Sequence, residues 1–219
     1  PVLYVDLEPP ESFYRDVTMF GTLMGNSQRA DEIIGYYQER SELVGSRVEG
    51  RVRPRVLLVS YTETDGLLAF NVPPAGWLQT MMVEQAGGEP VWRKDHGGNG
   101  WQKIGLEQIA AWDPDLVLVV SYRVPVSTAL PRLQSIMSLG MIDARILPFP
   151  ADFYSWDQPD PRWILGLLWT ARIINPGLFE DIDMDKEVRE FFSAMYGIDS
   201  GTIETHILPR LESALSIAR

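Results

Sequence analysis

The 219-residue chain contains no cysteine. A disulfide framework, a thiolate nucleophile and any Cys-ligated zinc or iron–sulfur site are therefore excluded. Its two histidines, His96 and His206, are too few for a multi-His metal centre. Positive charge is also scarce: 19 Lys and Arg against 30 Asp and Glu leave a net charge of −11. Such a chain lacks the clustered basic face that phosphate binding needs, which argues against a nucleic-acid partner and weakly against attachment to anionic lipid. No apolar run is long enough to read as a membrane-spanning helix. What is present is ordinary: 45% hydrophobic and 22% charged residues describe a globular chain, long enough for one large domain or two small ones. It opens on Pro1-Val2-Leu3-Tyr4-Val5, inside a strand-like run and without an initiator Met or a secretory leader. A trimmed or processed product is the expectation.

Residues 2–5 read as a short strand, closed by Asp6 and the turn-forming Pro9-Pro10. Phe13, Val17, Phe20 and Leu23 recur at helical spacing over residues 12–23, and Gly25 stops that helix. Asn26 and Ser27 offer an N-cap to a second helix over residues 27–48, with the stripe Ala30, Ile33, Ile34, Tyr37, Ser41, Val44 and Val48. The stretch from Glu49 to Pro54 then marks the best domain boundary. Beyond it strands and helices alternate. Residues 55–60, 115–120 and 144–149 are apolar on both faces, and helices are expected over 76–85, 106–112, 127–139, from Asp160-Pro161 to Asn175, and over 186–196. Doubly apolar strands separated by crossover helices predict an α/β fold with a parallel sheet covered on both sides. The last twenty residues show little pattern.

In such a sheet, ligands bind where strands end and helices begin. The residues there are Tyr61-Thr62-Glu63, Ser121-Tyr122-Arg123 and the stretch 151–156, rich in aromatics. Phe153, Tyr154 and Trp156 crowd one loop where a single core aromatic would suffice, so they either line a site or pack inward. Arg123 either faces a ligand or pairs with a surface carboxylate. Trp77, Met81 and Met82, like Trp163, Leu167 and Leu168, read as core. The Gly-rich run from His96 to Trp101 lacks the Lys-Ser/Thr of a phosphate loop and reads as a flexible loop, with His96 as a possible contact. Glu63 with Asp65, and Asp152 with Asp157, are candidate acid/base pairs, but nothing in the sequence sets their separation. No Gly-x-Ser-x-Gly elbow is present. The case for an enzyme is weak.

The string Trp101-Gln102-Lys103-Ile104-Gly105-Leu106-Glu107-Gln108-Ile109-Ala110-Ala111-Trp112-Asp113-Pro114-Asp115 resembles a signature of the substrate-binding proteins of ABC importers for ferric siderophores and cobalamin. Residues 81–88, 156–179 and 187–197 resemble three further stretches of that class III (TroA/BtuF-like) family. The resemblance implies two α/β lobes joined by a long rigid helix, with ligand held between them. Residues 1–25 then correspond to the end of a first, largely missing lobe, 26–50 to the joining helix, 51–180 to the three-layer C-terminal α/β lobe with its parallel sheet, and 181–219 to a helical extension. It places Phe153, Tyr154 and Trp156 on an aromatic ligand wall, with Tyr61, Tyr122 and Arg123 at strand ends facing the cleft. Asp157 lies nearest the position of an acidic residue that docks on permease arginines.

The function implied is delivery of a chelated metal to a membrane permease, most directly a ferric siderophore or related iron complex. Cobalamin, haem and molybdate or tungstate are the alternative ligands. Neither catalysis nor a resident cofactor is implied, and the expected full-length protein is a monomer, periplasmic or extracellular, with a lipid anchor as one option. Two other readings stand beside it. One is a metal chelatase or nitrogenase-like enzyme of similar two-lobed outline, and the other is an interaction domain with no small ligand.

Overall fold

A computed structural model describes the chain apart from residues 1, 6, 7, 9, 65, 66, 123–125, 141 and 219, and the side chains of 63–68, 126–129 and 139. Two helices come first, α1 (Pro10–Leu23) and α2 (Ser27–Val48). The α2 bounds match the stripe read from the sequence. Asn26 accepts a hydrogen bond from the Arg29 amide at its start, and Ala30, Tyr37, Val44 and Val48 are buried along one face. Phe13 of α1 lies 4.7 Å from the Tyr37 ring and 6.0 Å from the Trp163 indole, so α1 packs on α2. The strand expected over residues 2–5 does not form. Val2, Leu3, Tyr4 and Val5 are exposed without strand geometry, because a strand needs a paired neighbour and none is offered among the described residues.

After α2 the chain builds a six-stranded sheet from β1 (Arg55–Thr64), β2 (Leu67–Val72), β3 (Glu89–Pro90), β4 (Gln102–Ile104), β5 (Leu116–Val120) and β6 (Arg145–Pro148). Its order is β4-β2-β1-β5-β6, and β3 pairs with the start of β1. β1, β5 and β6 run parallel, with Val56 opposite Leu116 and Leu116 opposite Arg145. All five residues of β5 are buried, the mark of a strand covered on both faces. The expected three-strand parallel core is thus present. β2 and β4 were not expected: they extend the sheet antiparallel, with Tyr61 opposite Phe70 and Phe70 opposite Ile104.

The helices between strands are α3 (Leu78–Gln85), α4 (Leu106–Trp112), α5 (Val126–Leu139) and α6 (Trp163–Ile174). In α6 every residue but Arg172 is buried, since it packs against both α2 and α3. Gly166 lets α6 pass close under the preceding loop: a Cβ there would stand 2.5 Å from the Trp156 carbonyl oxygen. Gly87, at φ +87°, turns the chain after α3 against Val48 of α2. The chain closes with α7 (Met184–Tyr196), α8 (Ser200–Thr202), a π turn (Ile203–Ile207) and α9 (Leu208–Ile217). The poorly patterned tail is therefore helical, burying Ile203, Ile207, Leu211 and Leu215 at four-residue intervals. α2 is clamped to this region by Arg40–Glu187 (2.8 Å) and Arg47–Asp181 (2.6 Å).

Candidate functional site

The start of α3, the residue before β4, the segment after β5 and the loop after β6 bring one group of side chains together. Trp77, at the N-cap position of α3, meets Trp101 edge-on at 5.9 Å, and Trp101 meets Tyr122 at 6.1 Å. Trp77 and Trp101 are half-buried and Tyr122 is 43% exposed, so the row offers aromatic surface to solvent. Trp101 sits just before β4, the edge strand that sequence patterning missed, and Tyr122 just after β5.

Beneath the row lies Asp157, which has no exposed surface. Its Oδ2 accepts the Tyr122 hydroxyl at 2.5 Å and the Gln79 side-chain amide at 3.4 Å. Oδ1 of Asp157 and Oε1 of Gln79 are both buried without a hydrogen-bond partner. Burial pushes the Asp157 carboxyl above the usual carboxylate range, and hydrogen bonds from Ser155, Tyr122 and Gln79 pull it part of the way back. The Tyr122 phenol is pushed up by burial and then by the adjoining Asp157. Glu8 accepts a hydrogen bond from the Leu78 amide at 3.2 Å, which puts an acceptor carboxylate on the open first turn of α3.

The loop after β6 is organised by a second carboxylate. Asp152 accepts the Phe153 and Tyr154 amides, the Trp156 indole N–H at 3.2 Å and the Arg162 Nε at 3.0 Å. Arg162 is held from its other side by Asp160 at 3.0 Å. Phe153 (56% exposed) and Tyr154 (58%) stand outward, the first under Arg210 of α9 at 4.3 Å and the second beside Arg162 at 5.5 Å.

The residues expected at the site thus separate. Tyr122 joins the aromatic row, whereas Phe153 and Tyr154 form an exposed pair beside arginines. Trp156 is wholly buried and anchors the loop, and Tyr61 is buried with its ring 6.4 Å from Phe70. Arg123 lies outside the described residues. Asp157 was expected to meet a permease, but docking requires a carboxylate at the surface and this one is enclosed by Tyr122 and Gln79. The Asp152–Asp157 pair is no acid/base couple, since Asp152 is bound to Arg162 and Asp157 to Tyr122. Glu63 and Asp65 lie outside what is described. His96 turns both ring nitrogens into its own loop, to the Gly100 carbonyl and the Gly98 amide. Among the described residues no three His, Asp or Glu side chains gather to hold a metal ion.

Sequence reading missed Trp77, Trp101, Gln79 and Glu8. Trp77 was taken for core because it shares helical spacing with Met81, yet both are half-buried and only Met82 of that group is fully so. A usable signal existed at Trp77, which precedes the helix and so sits at its open end, where strand ends and helix starts meet.

Three comparisons bear on this arrangement. The sequence model of the Periplasmic binding protein family matches residues 1–138. A molybdate-binding protein, MolA of Haemophilus influenzae, is 22% identical over 182 residues, which is 82% of this chain and 50% of MolA. Its crystal structure with bound molybdate superposes with a TM-score of 0.69 at 21% identity, covering 89% of this chain and 61% of MolA. A periplasmic solute-binding protein of Veillonella parvula gives a TM-score of 0.74 at 18% identity, covering 99% of this chain and 64% of that one. A Helicobacter pylori protein, CeuE with Ni(II) bound, gives 0.63 at 16% identity, covering 90% and 62%. The chain spans about half the length of the curated relative it matches.

Proposed function

Because this chain belongs to the periplasmic binding protein family, we propose that it forms one jaw and the connecting spine of a solute-binding protein that hands a chelated metal to an ABC permease. One observation carries the reading: the row Trp77, Trp101 and Tyr122 stands open to solvent, with Tyr122 just past the carboxyl end of β5, where α/β folds bind ligands. Rigid aromatic rings give large contact area at small entropic cost, which suits the organic face of a ferric chelate or a corrinoid. The neighbouring Glu8 carboxylate is a hydrogen-bond acceptor, a poor lining for a bare dianion and a good one for a cargo that carries N–H or O–H donors. A second reading, an oxyanion such as molybdate, draws on the molybdate-binding relative and on the first turn of α3, where Glu8 would have to give way.

Residues 1–25 would belong to a first lobe and 26–50 to the spine. The exposed Val2–Val5 run, Phe20, Leu23 and Met24, with a 430 Å³ apolar groove between α1 and α2, are the surface such a lobe would cover. Phe153, Tyr154 and Arg210 would face ligand or permease.

The test is a titration of the full-length protein with ferric chelates, a corrinoid, haem, molybdate and tungstate, followed by tryptophan fluorescence. Quenching by an organic chelate that falls at least tenfold in affinity in W101A supports the reading. Quenching by molybdate or tungstate alone, unchanged in W101A, would replace it with the oxyanion reading.

A further inference from the structure

Two of the buried side-chain atoms without a partner belong to one hydrogen-bonded pair beneath the aromatic row. Gln79 donates its amide to Oδ2 of Asp157, and the two unpartnered atoms, Oε1 of Gln79 and Oδ1 of Asp157, are the remaining oxygens of the same two planar groups. Both are acceptors, and among the described residues neither has a donor. Buried acceptors without donors are costly, of order 1–3 kcal/mol each. A single proton on Oδ1 supplies the missing donor for both: the acid O–H then donates to the amide oxygen while the amide N–H donates to the acid, an acid–amide ring with two hydrogen bonds.

We propose that Asp157 is a neutral carboxylic acid in the folded protein, paired in this way with Gln79, and that it positions Tyr122 in the aromatic row. The protonated pair stands on the structure of this chain alone, whereas its bearing on cargo rests on the function proposed above. The groups around Asp157 fit a neutral acid. From β5's end comes the Tyr122 hydroxyl, from α3 the Gln79 amide, from its own loop Ser155 and from the N-terminal segment the like-charged Glu8, which acts on Tyr122. The nearby cation Arg162 is committed to Asp152 and Asp160. Among the described residues no cation bonds to Asp157. Its burial pushes in the same direction, raising the carboxyl above its usual range.

The sign of the pH dependence follows. A carboxyl that stays protonated in the fold binds a proton that the unfolded chain releases near pH 4, so its contribution to stability falls as pH rises from there through the folded value and is level above it. Asp157→Asn keeps the shape and supplies a permanent amide donor in place of the acid proton. The melting temperature of D157N should therefore gain on the wild type as pH is raised, and a protonated-carboxyl C=O band should appear at neutral pH in the wild-type minus D157N infrared difference spectrum. Trp101 emission should follow the same titration in the wild type and lose it in D157N, a pH profile that a merely structural role would not produce. The proposal is overturned if the wild type gains on D157N with rising pH and no such band is present, which is the behaviour of a carboxylate held ionised by its three hydrogen bonds. Should D157N fail to fold, Q79E and Q79L give the same decision on the infrared band, which must shift in both. None of these measurements uses a ligand, so their outcome is independent of what the cleft carries.

Discussion

Two carboxylates on one loop, Asp152 and Asp157, occupy opposite kinds of interior. Asp152 gathers backbone amides, an indole and a guanidinium, and its charge is matched by Arg162 at 3.0 Å. Asp157 gathers a phenol, a carboxamide and the Ser155 side chain, and among the described residues no cation bonds to it. Both side chains are enclosed, so depth does not separate them; the charge of the neighbours does. The first is built to hold a loop, and the second is built to hold a hydroxyl at the edge of the aromatic row. A sequence pattern sees two aspartates five positions apart, but the chemistry of each is set by residues brought from α3, β5 and the start of α6.

The contrast can be broken from the ionic side with the largest effect. Asp152→Ala strands Arg162 with Asp160 alone and removes the acceptor of three further donors, a loss expected at about 3–5 kcal/mol, read by urea unfolding of the whole chain. A cost below that of losing one hydrogen bond would mean that Asp152 does not organise the loop. Next comes the contact that sets the depth of both carboxylates: Gly166→Ala drives a Cβ against the Trp156 carbonyl and should cost about 1–3 kcal/mol by the same measurement. A neutral result would show that the loop can lift away from α6 freely.

Tyr122→Phe probes the neutral side. If Asp157 is an acid, its lost hydrogen bond is one between uncharged groups and should cost about 0.5–1.5 kcal/mol; a charged partner would raise that to about 1.5–3 kcal/mol. The smallest effect is at the surface. Arg47 holds the Asp181 carboxyl below its usual range through their hydrogen bond. A carboxyl with a depressed folded value contributes stability above its unfolded value and loses it as pH falls through the folded one. Asp181→Asn should therefore lower the melting temperature slightly at neutral pH and leave it unchanged in strong acid, with the difference fading in high salt. A difference that persists in acid would assign Asp181 a role beyond the ion pair.

The helices were the legible part of this chain. α2 and α4 have the bounds their patterns imply, because the long period, Asn cap and following Gly of α2 and the Asp113-Pro114 stop of α4 are all local features. The antiparallel edge was less legible, although the sequence carries an Asp-Gly dipeptide at positions 65–66, a strong two-residue hairpin signal. The short β2 and β4 carry no alternation that stands out against neighbouring loops. In the tail, Ile203, Ile207, Leu211 and Leu215 keep a four-residue interval that was overlooked because Gly201 and Pro209 punctuate it. Of the expected ligand residues, Tyr122 lies in the aromatic row and Phe153 with Tyr154 lie at the surface, while Trp156 and Tyr61 are inside. Aromatic composition marks a loop as able to present rings but does not say which ones turn outward.

By itself the order of residues determined the family, the parallel core and the long helix α2, because hydrophobic period, caps and signature motifs act over a few residues at a time. Only the tertiary structure decided that Trp77 and Trp101 stand in line with Tyr122, that Asp152 meets Arg162 and that, among the described residues, no cation bonds to Asp157. For Asp157 the deciding groups, Tyr122 and Gln79, lie 35 and 78 residues away along the chain, and low interior polarity then makes each such contact count.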